Sequence, residues 1–229
     1  MQKTSAFVLK KNNYREYDRV YTMYTSDYGK VSLLVRGARK IKSKLAPNLE
    51  NFGEVKINFA NGKAFNHLAG ARTVIKNNSI LKDNNKIFLA QDFFYLLDRF
   101  VKLGENDARI FSLLRSALDV LDREKDEKNF PKIQAYFFWR LADLLGYRPQ
   151  LDGCVLCGSI IIGSSKFNVT ENIVICDKCK GEGVKISEAT LQNLRKIFET
   201  ALEDFLTYNL DGQLLGITNK ARQIKLSEL

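Results

Sequence analysis

The sequence predicts an α+β chain of 229 residues, a small β-barrel leading into an all-helical domain. Three observations carry that reading. Short alternating apolar runs separated by turn residues fill positions 4–77. Near Asn77-Asn78 the apolar period changes to that of helices. Four cysteines then arrive as two close pairs inside the helical part.

The strands come first. Thr4 to Leu9 is one run, and Arg19 to Thr25 alternates Val20, Thr22 and Tyr24 against Tyr21, Met23 and Thr25. Ser26-Asp27-Tyr28-Gly29 makes a turn, and Lys30 to Arg36 returns. Gly53 to Phe59 places Val55, Ile57 and Phe59 on one face. Asn61-Gly62 predicts a tight hairpin, because both residue types accept positive φ. Lys63 to Leu68 and Ala71 to Lys76 follow. Five or six short strands in under eighty residues predict an OB-fold, with an SH3-like barrel as the alternative. The predicted boundary gives a barrel at 1–79 and a helical domain at 80–229, with a metal module at 150–183.

In the helical part, Ile87, Phe88, Phe93, Phe94, Leu96, Leu97, Phe100 and Val101 are apolar nearly all round, which predicts a buried helix ended by Gly104. Asp107 to Leu121 is a second helix. The polar run Asp122 to Asn129 connects to a third, with Pro131 in its first turn and Gly146 and Pro149 at its end. Ser187 is the N-cap of a helix through Leu191, Leu194, Ile197 and Phe198, and a short helix covers Ala201 to Tyr208. The tail from Asn219 is weakly patterned and predicts a frayed or loosely docked end.

The cysteines read Cys154-x2-Cys157, then Cys176-x2-Cys179 after eighteen residues. Two residues between cysteines let a tight turn aim both sulfurs at one ion, and this spacing is that of a four-thiolate Zn²⁺ site. Lys166 to Val169 and Ile173 to Ile175 form the hairpin that brings the turns together. A closed four-thiolate shell is structural rather than catalytic. Two disulfides, or a redox pair, are the alternatives. The first is disfavoured in a cytosolic chain, the second by the lack of a thioredoxin-like context.

The net charge of +10 is unevenly placed. Residues 1–80 hold 15 Lys/Arg and 5 Asp/Glu, while residues 81–229 hold 21 of each. Lys30, Arg36, Arg39, Lys40, Lys42 and Lys44 crowd one stretch, and no acid lies between Asp27 and Glu50. A basic loop at a strand end is stable in water or beside an anion, so the barrel reads as a polyanion-binding head. Tyr14, Tyr17, Tyr21, Tyr24 and Tyr28 divide between barrel packing and stacking on bases. No apolar run is long enough to span a membrane, and Met1-Gln2-Lys3-Thr4 opens into a strand without a signal-peptide core, which predicts a cytoplasmic protein. His67 is the only histidine. There is no phosphate-cradling Gly-rich loop, nucleophile elbow or metal-binding carboxylate cluster, so no enzyme activity is predicted.

Two motifs carry a family resemblance. The first runs Val8-Leu9-Lys10, Tyr14-Arg15-Glu16-Tyr17-Asp18-Arg19, Tyr28-Gly29-Lys30, Arg36-Gly37-Ala38-Arg39-Lys40 and Lys42-Ser43-Lys44-Leu45. The second runs from Trp139-Arg140-Leu141-Ala142-Asp143-Leu144-Leu145-Gly146-Tyr147-Arg148-Pro149 to Leu151 and Cys154-Val155-Leu156-Cys157-Gly158. In this order, over nearly the whole length, they resemble the bacterial recombination mediator family RecO. Tyr17, where many relatives carry a small residue, and the extra Asn12-Asn13 depart from that pattern. The resemblance implies an N-terminal OB-fold and a helical domain with a zinc module. It implies a nucleoid-associated protein that binds single- and double-stranded DNA and anneals strands. It also implies loading of RecA, with RecR and in some pathways RecF, onto strands coated by single-stranded DNA-binding protein.

On that basis Arg36, Arg39, Lys40, Lys42 and Lys44 are the expected phosphate contacts, with Lys10, Arg15, Arg19 and Lys30 as lesser candidates. Lys132 and Arg140 are the candidates for receiving the acidic tail of the single-strand binder. The rival reading is a zinc-ribbon RNA-binding or ribosome-associated factor; a nuclease would need a carboxylate site that the sequence lacks.

Overall fold

The structure is a computed structural model, and it describes residues 1–49, 52–210 and 212–227. The chain divides into two compact units, Met1–Arg123 and Glu124–Leu229. The two helices that follow the barrel, beyond the expected boundary at 79/80, pack within the first of these units.

The first unit begins with five strands: β1 (Gln2–Tyr14), β2 (Asp18–Thr25), β3 (Gly29–Val35), β4 (Val55–Ala60) and β5 (Asn66–Thr73). They close in the order β1-β2-β3-β5-β4, with β4 returning to pair β1. All neighbours are antiparallel except β3 and β5, which run parallel. A five-stranded barrel with this order is the OB arrangement. Alternation puts Ala6, Tyr21, Met23, Leu33, Val35, Val55, Ile57 and Phe59 inside. Tyr24 and Phe7 lie on the opposite strand faces and are also buried. They are covered by α1 (Asn84–Phe100) and α2 (Ala108–Arg123). The Phe7 and Phe111 rings meet at 5.1 Å, and the Tyr24 hydroxyl donates to the Asp107 carbonyl at 3.1 Å.

Three expectations change here. Residues 61–65 form a longer loop, and neither Asn61 nor Gly62 takes positive φ. Gly62 serves close approach instead: a Cβ there would lie 2.2 Å from the Phe65 carbonyl oxygen. The two expected strands after it are one, β5, continuous through Gly70. The first helix is not buried all round, since Phe88 and Tyr95 are 69% and 50% exposed.

The second unit packs α3 (Phe130–Leu144), α4 (Glu188–Glu199), α5 (Leu202–Phe205) and α6 (Gly212–Ser227) with a small sheet. That sheet is β6 (Ser165–Asn168), β7 (Ile173–Cys176) and β8 (Val184–Ile186), in the order β7-β6-β8. Ser187 caps α4, its hydroxyl accepting the Thr190 amide at 3.1 Å. The core centres on Trp139, 1% exposed, whose ring lies edge-on to Phe167 and whose Nε1 donates to Thr218 Oγ1 at 2.9 Å. Thr218 belongs to α6, so residues 219–227 continue a helix that buries Ala221 and are not frayed. The helix forms because Leu214, Ile217, Thr218 and Ala221 recur at 3.6-residue spacing on one side.

Candidate nucleic-acid interface and metal centre

β1 and β2 form a ribbon whose turn is Arg15-Glu16-Tyr17. Arg15 takes a left-handed φ of 55° to close that turn. The next crossing, from β3 toward β4, is the basic segment 36–44, and it folds onto the ribbon tip. The Gly37 amide donates to Asp18 Oδ1 at 2.8 Å, and the Arg39 amide donates to the Tyr17 carbonyl at 3.0 Å. The Arg39 guanidinium donates to the Arg15 carbonyl at 3.3 Å. Gly37 has φ 66°, which lets the segment reverse and bond Lys40 N–H back to the Gly37 carbonyl at 3.1 Å. The third wall is the β4–β5 loop, whose Phe65 ring meets Tyr14 edge-on at 5.3 Å. In OB-folds the β1–β2 and β4–β5 loops border the oligonucleotide-binding face.

The predicted cations divide. Arg36, Arg39, Lys40, Lys42 and Lys44 are all exposed, and Arg15 is exposed at the facing tip. Arg19 is half-buried, its Nε donating to Asn13 Oδ1 at 3.3 Å. Lys10 is exposed and stands 3.8 Å from Asp98. Lys30 does not belong to the group. It is 8% exposed, pairs with Asp98 at 2.9 Å, and donates to the Val101 carbonyl at 3.0 Å. It caps the C-terminus of α1, where free carbonyls and the helix dipole favour a cation. The charge count around 36–44 cannot distinguish such a lysine from its neighbours. Alternation can: Lys30 pairs with Tyr24, on the strand face opposite the barrel interior, where the helices of its unit cover it. Asp18 was not expected as a functional residue. It lies inside the Tyr14–Arg19 motif, but its part as the pin for Gly37 emerges only once the ribbon and loop meet.

In the second unit Lys132 is half-buried and donates to the Leu206 carbonyl at 2.9 Å. Arg140 pairs with Asp143 at 3.3 Å, a carboxylate that Arg148 also approaches at 3.9 Å. Both expected tail-binding cations are thus engaged within their own unit.

All four cysteine Sγ atoms lie within 4.8 Å of one another, and none forms a disulfide. Cys176 ends β7, and the Val155 amide donates to the Val174 carbonyl at 3.1 Å, tying the first knuckle to that strand. Cys154 N–H bonds the Ser159 carbonyl and Gly158 N–H the Cys154 carbonyl, a curl that Gly158 permits at φ 70°. A tetrahedron with metal–sulfur bonds of 2.3 Å has sulfur–sulfur edges of about 3.8 Å. The Cys157 and Cys176 Sγ atoms stand 3.8 Å apart, so the donor set fits such an ion. Backbone amides, first that of Cys176, hold the Cys154 thiol down to about 6. Hydrogen bonds from Cys157 and Cys176 push Cys179 up to about 12. Four sulfurs this close compete for protons, and a cation among them would relieve that competition.

The comparisons with known proteins agree with this architecture. Residues 1–75 match the family model "Recombination protein O N terminal" and residues 81–216 match "Recombination protein O C terminal". Over 185 residues the chain is 30% identical to the DNA repair protein RecO of Geobacter metallireducens, covering 80% of this chain and 75% of that one. Over 202 residues it is 30% identical to the RecO of Rubrobacter xylanophilus, covering 86% and 80%. Over 220 residues it is 27% identical to that of Dehalococcoides mccartyi, covering 93% and 85%. No helix among the described residues is long and apolar enough to cross a membrane. With an OB barrel, a helical unit and a four-cysteine cluster in the order of both family models, the chain belongs to the RecO family of DNA repair and recombination proteins.

Proposed function

We propose that the chain is a recombination mediator that grips DNA backbones through the basic face of its OB unit and anneals complementary strands. The observation that carries this is the exposure of Arg36, Arg39, Lys40, Lys42 and Lys44 on one segment, which bonds through Gly37 and Arg39 to the ribbon tip where Arg15 is also exposed. Phosphate contacts position a strand without reading its sequence, and they leave base edges free to pair. Both single- and double-stranded DNA suit such a face. Lys10 and Arg19 extend it, whereas Lys30 supports the fold. A Zn²⁺ ion held by Cys154, Cys157, Cys176 and Cys179 supplies structure only, because four thiolates leave no open coordination position. By family resemblance the partners are RecR, RecA, the acidic tail of single-stranded DNA-binding protein and, in some pathways, RecF. The setting is the bacterial cytoplasm, at the nucleoid, and the role is non-enzymatic.

The test is annealing of complementary strands coated with the single-strand binder. With about five phosphates engaged, log affinity for single strands falls against log salt with a slope near −3.5. Reversing two charges in Arg39→Glu/Lys40→Glu removes roughly 25-fold of affinity at 0.1 M salt, the counterion-release share of two phosphates, and flattens the slope. Annealing falls with it. Unchanged binding in this variant removes the loop from the interface. Preference for folded RNA with no annealing of DNA supports the zinc-ribbon RNA-binding reading instead.

A further inference from the structure

Tyr17 stands at the tip of the β1–β2 ribbon with 47% of its surface exposed, outside the barrel core. Lys40 Nζ is 5.2 Å from its ring centroid. Its carbonyl accepts the Arg39 amide, and the Arg39 guanidinium reaches across to the Arg15 carbonyl. The ring is therefore fixed from the backbone side, at the point where segment 36–44 meets the ribbon. Behind it Tyr14 meets Phe65 edge-on and carries the Arg15 guanidinium 5.3 Å from its ring centroid, which anchors the tip to the β4–β5 loop. Of the two acids at the tip, Asp18 is occupied by the Gly37 amide. Glu16 shares a hydrogen bond with the Tyr17 side chain.

About half of the Tyr17 surface is open beside the Lys40 ammonium, and a cation there favours an anionic cover. A nucleotide offers a phosphate for Lys40 and a flat base for the ring. We infer that Tyr17 and Lys40 form one nucleotide subsite, in which Lys40 takes a backbone phosphate and the Tyr17 ring stacks on an unpaired base of single-stranded DNA. The inference rests on the reading that this face binds DNA, and it adds selectivity that phosphate contacts lack. In a duplex the bases cover one another's faces, so only an unpaired base offers a face to a ring on a ribbon tip. A base stacked on Tyr17 still presents its pairing edge outward, so the subsite grips a strand while leaving it able to anneal. Stacking is tolerant of sequence, because every base has a π-face.

The experiment compares a thymidine oligonucleotide with an abasic sugar-phosphate strand of the same length, bound to the full chain and followed by fluorescence anisotropy. Tyr17→Ala is expected to lose roughly 5- to 150-fold in affinity for the thymidine strand and to bind the abasic strand as before. Tyr17→Phe keeps the wild-type preference, since the ring and not the hydroxyl does the stacking. Lys40→Ala weakens both strands and lowers the salt slope by about 0.7, whereas Tyr17→Ala leaves the slope unchanged. Equal loss on both strands in Tyr17→Ala assigns the ring to shaping the loop and overturns the subsite, as does no loss on either. If the wild-type chain binds neither strand, the DNA-binding reading itself fails, and this is distinct from failure of the subsite.

Discussion

At the scale of single residues, Lys30 shows how chemistry separates cations that composition lumps together. Its ammonium is taken out of water and surrounded by the Asp98 carboxylate and two carbonyls at the end of α1. A buried cation is tolerated only when paired and hydrogen-bonded, and removing one partner leaves the other buried and uncompensated. Lys30→Met is therefore expected to destabilise the Met1–Arg123 unit by about 3–5 kcal/mol in urea or thermal unfolding. At temperatures where the variant is folded, its salt dependence of strand binding matches the wild type, because Lys30 reaches no phosphate. A flatter salt slope in this variant would place Lys30 back in the interface. The residue sits one step from Gly29, where a Cβ would lie 1.9 Å from the Glu105 carbonyl oxygen. The Lys30 backbone bonds the same segment: its amide donates to the Glu105 carbonyl at 3.3 Å, and its carbonyl accepts the Gly104 amide at 2.8 Å. The sequence pair Gly29-Lys30 thus packs the barrel against the segment after α1, and its charge serves the fold.

At the scale of elements, the basic segment is a loop whose shape is imposed from outside. It has no apolar period of its own, and its bonds to Asp18, Tyr17 and Arg15 come from the ribbon. Asp18 plays two opposed parts there: it accepts the Gly37 amide, and it places a negative charge in a face built for anions. Asp18→Asn keeps an oxygen acceptor and removes the charge, so strand affinity is expected to rise up to about fivefold at 0.1 M salt. Asp18→Ala removes both, frees the loop to wander, and is expected to bind several-fold more weakly than Asp18→Asn. Equal affinities in the two variants, measured on one oligonucleotide, would show that the hydrogen bond does not order the loop. The same elements mark how far the sequence could be read. Strand alternation from Arg19 to Thr25 and the cysteine spacing are local patterns, so both were legible. The loop at 61–65 was not, because Asn61-Gly62 is spent on close approach to Phe65 rather than on a tight turn. Nor was the exposure of Phe88 and Tyr95, because an apolar pattern all round a helix gives no information on which side lacks a neighbour. Lys30 and Asp18 could be assigned only after register brought distant segments together.

At the scale of the whole molecule, charge and metal are divided between the two compact units. Residues 1–123 hold 22 Lys/Arg and 12 Asp/Glu, while residues 124–229 hold 14 of each. The entire excess of +10 thus lies in the unit with the OB barrel, and the unit with the cysteines is electrically balanced. Each has its own core, one inside the barrel and one around Trp139. The second core leans on the cysteine module, because Phe167, which packs on Trp139, lies on β6, and β6 pairs with the strand ending in Cys176. Structural zinc in small modules contributes roughly 10–16 kcal/mol, as much as the stability of an ordinary domain. Chelation, or Cys154→Ser with Cys176→Ser, is therefore expected to loosen the Glu124–Leu229 unit while the barrel stays folded. The protein carries its own reporter, since Trp139 is the sole tryptophan and lies in that unit. Chelator should shift Trp139 emission to the red and lower the melting transition that the emission follows. Strand binding by the basic face, measured below that transition, should hold within about twofold. Unmoved emission and melting in chelator would show that the four sulfurs hold no metal that matters to the fold. Loss of strand binding in step with the emission would show that the metal-bearing unit, and not the barrel alone, carries the grip on DNA.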